Sequence, residues 1–312
     1  MKIVFLDRES LGTGISLSSI EKQGELIIYD YTSAQDVTNR IADAQILIVN
    51  KVVIGKNEID AAPELKLICV AATGMNNIDL KYAALKGITV RNAVNYSTDS
   101  VVQVTFGSLL SLITNIRYFD DCVKNGIYSQ SKHFTDTGKT FSEVSGKVFG
   151  VVGMGTIGKK VARVASAFGA DVVYYSTNGI AHCPEYKSVT LNELLSMCDI
   201  ISIHAPLNEK TENLFMLEHL KKMKKSSIIV NMGRGGIVNE SDLVTALNEN
   251  IISGAVVDVY KTEPIGTNHV YFNIEDKNRV IFTPHIGWAS IEARDLLVNK
   301  IAQNIENFLL GN

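Results

Sequence analysis

The sequence is poor in cysteine, proline and tryptophan, and it contains no long apolar run. Its 312 residues include four cysteines, five prolines and one tryptophan. The cysteines form no C-x-x-C pair or other ligand pattern, so we expect reduced thiols and no metal site. No apolar stretch approaches the ~20 residues that cross a bilayer, and the short N-terminal run ends at Asp7 without the features of a signal peptide. We therefore expect a cytosolic protein with no membrane partner.

Neither sign of charge predominates in the sequence, which has 30 lysines and arginines and 33 aspartates and glutamates. The net charge is -3, and no block of lysine and arginine alternates with aromatic residues, so we expect no nucleic-acid partner. With 46% hydrophobic residues, the chain is long enough to bury two cores.

Short β-branched runs alternate with helix-length segments, which predicts parallel sheets covered by helices, an α/β fold. A first series of predicted strands covers Lys2–Leu6, Leu26–Tyr29, Ile46–Val49, Leu67–Val70 and Ile88–Val90. A second series covers Val148–Val152, Asp171–Tyr175, Ile200–His204, Ile228–Asn231, Ala255–Val259 and Val280–Phe282. The pattern therefore predicts two α/β units.

Three further segments complete this organisation. Residues Ser100–Ile116 are apolar at helical spacing and predict a buried connecting helix between the units. The polar stretch Asp120–Lys147 predicts an exposed arm. The amphipathic segment Ile291–Leu310 predicts a helix that returns to the first unit.

A glycine-rich turn opens the second unit. Its first strand runs into Gly153-Met154-Gly155-Thr156-Ile157-Gly158, a G-x-G-x-x-G pattern followed by a helix-like segment. The first two glycines permit a tight turn and close approach to a pyrophosphate, and the third permits close packing of helix and strand. The helix N-terminus supplies free N–H groups to the anion. The same motif also occurs as a plain tight turn. The strands and the helix around it are therefore what favour a phosphate-binding function.

The end of the next strand bears on the choice between NAD and NADP. An NAD site usually has Asp or Glu here for the ribose 2′-hydroxyl, but this sequence has Ser176, Thr177 and Asn178. No carboxylate would repel a 2′-phosphate, although no arginine follows to bind it. We therefore favour NADP and leave NAD open.

Three residues suited to carbonyl reduction follow the last three predicted strands. These are Arg234, Glu263 and His285, and strand ends in an open α/β sheet border the ligand crevice. Reduction of a 2-oxo acid needs a cation, a proton donor and a group that keeps the donor protonated. A carboxylate beside an imidazole favours the imidazolium. Each residue alone also has an ordinary structural explanation, and the combination is what indicates catalysis.

Together, these segments resemble the D-isomer-specific 2-hydroxyacid dehydrogenase family over nearly the whole chain. The resemblance rests on Val70–Asp79, Gly153–Gly158, His204–Leu207, Asn231–Gly236, Asp258–Pro264 and Pro284–Trp288. It implies a Rossmann-type dinucleotide-binding domain over residues 100–286 and a flavodoxin-like substrate domain over residues 1–99 and 287–312. It also implies an NAD(P)-dependent dehydrogenase that interconverts a 2-oxo acid and its D-2-hydroxy acid.

The resemblance further implies roles for individual residues. His285 would be the acid and base, Glu263 its partner, and Arg234 the residue that binds and polarises the substrate. The substrate would also contact Ala72, Thr73, Gly74 and Trp288. Cofactor contacts would come from the glycine turn and Ser176 and Thr177, together with Ala205, Pro206, Thr211, Met232, Gly233, Asp258 and Gly287.

Branches of the family differ in features that this sequence displays. The loop Ala71-Ala72 lacks the basic residue of phosphoglycerate oxidation, and Glu263 stands where formate dehydrogenases have glutamine. Tyr96–Phe106 and His285–Trp288 resemble hydroxypyruvate/glyoxylate reductases, also called glycerate dehydrogenases. Two alternatives stay open: another 2-oxo acid such as pyruvate, and a corepressor-like module that senses the dinucleotide without turnover. The resemblance implies a homodimer, for which the 120–147 arm is the candidate contact.

Overall fold

The computed structural model describes residues 1–311, and this part of the chain divides into two compact α/β units. Unit 1 comprises Met1–Ser97 with the segment from Trp288, and unit 2 comprises Thr98–Gly287. The assignment of a substrate domain and a dinucleotide-binding domain to these segments stays a prediction. None of the helices in residues 1–311 has the length and apolar character needed to cross a membrane.

Unit 1 contains a five-stranded parallel sheet in the order β2-β1-β3-β4-β5. This is the flavodoxin-like strand order. Its strands are β1 (Lys2–Phe5), β2 (Glu25–Ile28), β3 (Ile46–Val49), β4 (Leu67–Val70) and β5 (Thr89–Asn92). Its helices are α1 (Ser18–Glu21), α2 (Val37–Ile41), α3 (Lys56–Asp60), α4 (Leu80–Leu85) and α11 (Ile291–Leu309).

The central strands of unit 1 form because their runs of branched apolar side chains can be buried on both faces of a parallel sheet. Every residue of β3 and β4 is buried. Helix α11 covers one face through Leu297, Val298 and Ile301, and Ser290 caps its first turn by accepting a hydrogen bond from Ala293 N. The predicted return of the C-terminal helix to the first unit is therefore confirmed.

Unit 2 contains a seven-stranded parallel sheet in the order β12-β11-β10-β9-β6-β7-β8. Counted from its own first strand, the order is 3-2-1-4-5-6 with a seventh strand added, which is the Rossmann arrangement. The strands are β6 (Val148–Val152), β7 (Asp171–Tyr175), β8 (Lys187–Ser188), β9 (Ile200–Ile203), β10 (Ile228–Asn231), β11 (Gly254–Val257) and β12 (Val280–Phe282). Both sheets confirm the predicted fold class.

The helices of unit 2 cover both faces of this sheet. They are α5 (Thr98–Ile113), α6 (Ile116–Lys124), α7 (Thr156–Ala167), α8 (Leu191–Met197), α9 (Leu217–Leu220) and α10 (Glu240–Asn248). Short 3-10 turns occupy Arg8–Leu11 in unit 1, and Tyr128–Gln130, Val270–Asn273 and Lys277–Arg279 in unit 2. Phe106 of α5 stacks on Phe149 of β6 with ring centroids 6.1 Å apart.

Three details differ from the sequence-based expectation. The predicted 120–147 arm begins inside a helix, because α6 extends to Lys124. Strand β8 was not predicted, since two exposed residues at a sheet edge leave no apolar pattern. Several strands begin or end one or two residues away from the predicted bounds; β5, for example, was predicted at Ile88–Val90 and covers Thr89–Asn92. All four cysteines are free and buried, and burial raises the pKa of Cys69 to about 12. Their reduced state stays a prediction.

Candidate active site

The glycine turn lies between β6 and α7 of unit 2, as its sequence predicts. Gly153 has φ +88°, a left-handed conformation that favours glycine, and a Cβ on it would lie 2.9 Å from the Ala205 backbone. A Cβ on Gly158 would lie 2.1 Å from the Gly153 carbonyl oxygen, so this glycine lets α7 pack on the turn. A Cβ on Gly155, in contrast, would meet nothing within 4 Å.

An open cleft of about 800 Å³ extends from this turn along the strand ends of unit 2. Its lining includes Gly153, Met154 and Gly155 from the turn, and Ser176, Thr177, Asn178 and His182 after β7. It also includes His204, Pro206, Asn208, Glu209 and Lys210 after β9. The open space above Gly155 and the N-terminus of the twelve-residue helix α7 fit a dinucleotide pyrophosphate. The cleft lining therefore includes six of the fifteen predicted cofactor residues. It does not include Thr156, Ile157, Gly158, Ala205, Thr211, Met232, Gly233, Asp258 or Gly287.

Two predicted cofactor residues use their hydroxyl groups inside the loops that carry them. Ser176 lies within 2.7 Å of Asn178 Oδ1 and 2.8 Å of the Ile180 carbonyl oxygen, so its single proton is committed to its own loop. Buried Thr211 donates to the Pro206 carbonyl oxygen at 2.7 Å and accepts from Asn208 N at 2.8 Å. These hydroxyls shape the cleft wall, and Ser176 has no free proton for a ligand in this arrangement.

The His285 and Glu263 side chains form a hydrogen-bonded pair in the loops that follow the last two parallel strands of unit 2. His285 Nδ1 lies 2.7 Å from Glu263 Oε2, with both side chains about one quarter exposed. Glu263 is positioned in turn by Tyr260 N, which donates to its Oε1 at 2.9 Å. Holding Nδ1 against a carboxylate leaves Nε2 as the nitrogen that can meet a substrate. Sequence analysis named both residues, and the structure brings them together.

The turn that carries His285 is fixed by Asp258. The Asp258 carboxylate accepts from the Thr283 hydroxyl at 2.5 Å and from the N–H groups of Ile286 and Gly287 at 2.9 Å each. His285 has φ +54°, unusual for a side chain of this size, and its N–H donates to the Asp258 carbonyl oxygen at 2.8 Å. Burial raises the pKa of Asp258, although these hydrogen bonds oppose the shift.

Arg234 follows β10, the neighbour of the strand that precedes Glu263. Its Nη1 donates to the Gly233 carbonyl oxygen at 2.8 Å, and Asn231 Nδ2 donates to the Arg234 carbonyl oxygen at 3.0 Å. A Cβ on Gly235 would lie 1.9 Å from the Tyr260 carbonyl carbon, so this turn packs directly on the loop that leads to Glu263. Buried Met232 and Gly233 complete the turn at the same strand edge.

The residues predicted for the substrate in unit 1 lie in a loop after β4 and at the start of the C-terminal segment. Thr73 Oγ1 donates to the Ala93 carbonyl oxygen at 3.0 Å, and the Ala72 carbonyl oxygen accepts from Ala93 N at 3.1 Å. Trp288 packs edge-on against Tyr96, with ring centroids 6.4 Å apart, at the margin of the unit 1 core. Trp288 therefore contributes to the packing of unit 1, and its substrate role stays a prediction.

Two histidines of the cleft were missed by sequence analysis. His204 Nε2 lies 2.8 Å from the Ser202 hydroxyl, its Nδ1 is buried with no hydrogen-bond partner in residues 1–311, and burial lowers its pKa to about 3. His182 contacts the glycine turn through the Met154 carbonyl oxygen. Neither stands at a spacing that predicts a role, because only the fold brings these loops together.

A parallel Rossmann sheet with a glycine turn and a histidine–carboxylate pair at its carboxyl edge defines a nicotinamide-dependent dehydrogenase. Residues 106–287 match the family described as D-isomer specific 2-hydroxyacid dehydrogenase, NAD binding domain. The chain belongs to that family and is an NAD(P)-dependent enzyme of it.

Relatives named for an enzymatic activity align with this chain over nearly its full length. A glycerate dehydrogenase of Methylorubrum extorquens is 34% identical, with 99% of this chain and 96% of that protein covered. A hydroxypyruvate reductase of Blautia hydrogenotrophica is 36% identical, with 100% and 98% covered. Among solved structures, an acyclic imino acid reductase in complex with NADPH and D-Arg has a TM-score of 0.88 at 27% identity, with 100% and 98% covered.

Proposed function

We propose that the protein reduces a small 2-oxo acid to its D-2-hydroxy acid, with hydroxypyruvate or glyoxylate as the preferred substrate. The observation that carries the proposal is the 2.7 Å contact between His285 Nδ1 and Glu263 Oε2, in the loops that follow the last two parallel strands of unit 2. This pair is suited to hold a proton for delivery to an emerging alkoxide.

The proposed mechanism assigns one task to each side chain. Glu263 stabilises the imidazolium of His285 and orients the ring, so that Nε2 gives its proton to the carbonyl oxygen as the alkoxide forms. Arg234 binds the substrate and offsets the negative charge that builds on that oxygen. A reduced nicotinamide, when bound, supplies the hydride. In the reverse direction, neutral His285 removes the hydroxyl proton.

We assign the rest of the site by the same proposal. Asp258 keeps one lone pair of Oδ2 for the nicotinamide carboxamide, beside the N–H of Gly287 that it already accepts. The residues of unit 1, with the Ala72–Gly74 loop, act as the substrate domain, and backbone N–H groups of that loop bind the substrate carboxylate. Residues 100–286 act as the dinucleotide-binding domain.

The substrate choice rests on the relatives and on the loop after β4. Two of the similar proteins are named for glycerate and hydroxypyruvate, and both align over nearly the whole chain. Ala71 and Ala72 offer no positive side chain for a phosphorylated substrate. Pyruvate remains the alternative substrate, and a dinucleotide-sensing module without turnover remains the alternative function.

A panel of hydroxypyruvate, glyoxylate and pyruvate, assayed with NADH and NADPH side by side, tests this proposal. We expect the highest kcat/KM with hydroxypyruvate or glyoxylate. Chiral chromatography of the hydroxypyruvate product should show D-glycerate, whereas the glycolate formed from glyoxylate is achiral. A higher kcat/KM with pyruvate would mean that pyruvate, and not hydroxypyruvate or glyoxylate, is the preferred substrate. Cofactor binding without oxidation by any of the three acids would favour the sensing module.

We also propose a homodimer in the cytosol. Residues 116–147 expose several large apolar side chains, among them Phe134 at 91% and Phe141 at 62%, which is typical of a protein–protein contact. Four free cysteines suit a reducing compartment. Light scattering after size-exclusion chromatography tests the dimer, and Phe134→Ser together with Phe141→Ser should shift it toward the monomer.

A further inference from the structure

Tyr260 is hydrogen-bonded to both loops that carry the histidine–carboxylate pair. Its main-chain N–H donates to Glu263 Oε1 at 2.9 Å, and its hydroxyl donates to the Thr283 carbonyl oxygen at 2.9 Å. That carbonyl oxygen also accepts the N–H of His285 at 3.0 Å. One residue therefore connects the loop of Glu263 to the loop of His285.

The hydroxyl contact of Tyr260 lies where the backbone of the His285 loop is unusual. His285 has φ +54°, a conformation that such a side chain adopts only where its surroundings hold it. Asp258 fixes the N–H groups of Ile286 and Gly287, which follow the histidine. The Tyr260 hydroxyl fixes the carbonyl oxygen two residues before the histidine. Removal of this hydroxyl should therefore release one side of the turn.

Tyr260 is itself held in place by a carboxylate and a second histidine. Glu240 Oε1 accepts from Lys261 N at 2.9 Å, and Glu240 Oε2 lies 3.2 Å from His269 Nε2. Because His269 Nδ1 accepts from Tyr271 N at 3.3 Å, the ring proton is on Nε2 and is donated to Glu240. The His269 ring packs edge-on against Tyr260, with centroids 6.1 Å apart. This support restricts where the Tyr260 hydroxyl can lie.

The Tyr260 hydroxyl keeps its proton at the pH values used to assay enzymes. Burial raises the pKa of Tyr260 to about 12, and the carboxylates of Asp258, Glu263 and Glu240 add to the shift. An unionised phenol is a hydrogen-bond donor, so the contact with the Thr283 carbonyl oxygen persists throughout that range.

We propose that the Tyr260 hydroxyl is a positioning group for catalysis, which sets the direction in which His285 presents its ring to the substrate. The inference rests on the proposed function, because that function gives the His285–Glu263 pair its role. Tyr260 acts through His285 and not on the substrate itself. A Cβ on Gly235 would lie 1.9 Å from the Tyr260 carbonyl carbon, so the turn of Arg234 packs on the same residue. Since misplacement by ~1 Å can cost about 10²-fold in rate, loss of one of the contacts that hold this turn should cost about tenfold.

The test is Tyr260→Phe, which removes the hydroxyl but keeps the ring and the N–H that Glu263 accepts. With hydroxypyruvate, we expect kcat to fall about tenfold while KM stays within about twofold, because the proton is misdirected but the substrate is still bound. The Kd for NADH should not change. In the His285→Gln background the same substitution should have no further effect on kcat, because the acid that it positions is gone.

A second readout does not depend on turnover. NMR spectra of protein with isotopically labelled histidine report the Nδ1–H of His285, which Glu263 holds at 2.7 Å. The signal is assigned by its absence from His285→Gln. In Tyr260→Phe it should shift or broaden, because the ring is no longer held in one orientation.

The control is Tyr271→Phe, which removes a hydroxyl from the neighbouring buried ring and keeps that ring stacked on Phe282. Its kcat and its His285 signal should match those of wild type. A Tyr260→Phe enzyme with the wild-type kcat, or with an unchanged His285 signal, would overturn the proposal. So would the same loss of kcat in Tyr271→Phe, or an equal loss whether or not His285 is present. If wild type reduces none of the 2-oxo acids while Tyr260→Phe changes the His285 signal, the proposed function fails and the positioning of His285 stands.

Discussion

Alanine substitutions at two glycines of the same turn should affect two different properties of the protein, its stability and its cofactor binding. An alanine Cβ at Gly158 would sit 2.1 Å from the Gly153 carbonyl oxygen, whereas Cβ contacts closer than 3.0 Å essentially do not occur. At Gly155 the same Cβ enters space with no protein atom within 4 Å. That space is where we expect the pyrophosphate. Gly158→Ala should therefore damage the fold, and Gly155→Ala should damage cofactor binding.

The magnitudes follow from these distances. The Gly158→Ala variant must separate α7 from the turn by about 0.9 Å, and forced overpacking of this kind costs about 1–3 kcal/mol or more. For a unit of this size 3 kcal/mol corresponds to a decrease in Tm of about 6–12 °C. Gly155→Ala adds no clash and should change Tm by only about 1 °C, while raising the Kd for NADH and NADPH at least about tenfold.

Thermal melts followed by circular dichroism and nucleotide titrations measure both variants in the same buffer. The comparison is internally controlled, because each variant is the reference for the other. If Gly155→Ala binds NAD(P)H as wild type does, the pyrophosphate does not pass over this glycine and the placement of the cofactor is wrong. If Gly158→Ala melts as wild type does, the close packing of α7 on the turn is not rigid.

Three further predictions concern the catalytic pair, the arginine and a buried histidine. Glu263→Gln should lower kcat/KM about 10²-fold at neutral pH, because the His285 ring loses the carboxylate that orients its Nδ1; steady-state kinetics measure this. Arg234→Ala should raise KM for the 2-oxo acid and leave the Kd of NADPH unchanged, as steady-state kinetics and titration would show. His204 has a pKa lowered to about 3 by burial, so it contributes stability above pH 6.5 that is lost as pH falls toward 3. Compared with His204→Gln, wild type should lose up to about 2 kcal/mol more of its unfolding free energy between pH 7 and pH 5, by urea denaturation.

Each of these predictions has a result that contradicts it. A Glu263→Gln enzyme with the wild-type kcat/KM would show that the proton donor does not depend on this carboxylate. An unchanged KM in Arg234→Ala would remove that arginine from the substrate site. Parallel stability curves for wild type and His204→Gln would mean that the His204 ring is solvated enough to take up a proton in the folded protein.

The sequence by itself determined the two α/β units, nearly all strands, the glycine turn and the identity of the catalytic candidates. These features are local: burial of β-branched runs on both faces of a sheet dictates strands such as β3 and β10, and glycines at fixed spacing dictate the turn. Strand β8 escaped prediction because its two exposed residues have no apolar pattern to detect.

Only the tertiary structure decided which side chains meet. The 2.7 Å contact of Glu263 with His285 depends on two loops from neighbouring strands and on Asp258, which fixes the turn around His285. The engagement of the Ser176 hydroxyl by its own loop, and the placement of His182 between two carbonyl oxygens, also arise from folding alone. The spacing of residue types along a chain predicts whether a segment forms a helix, a strand or a turn. A hydrogen bond between distant segments forms only once the sheet has set their register.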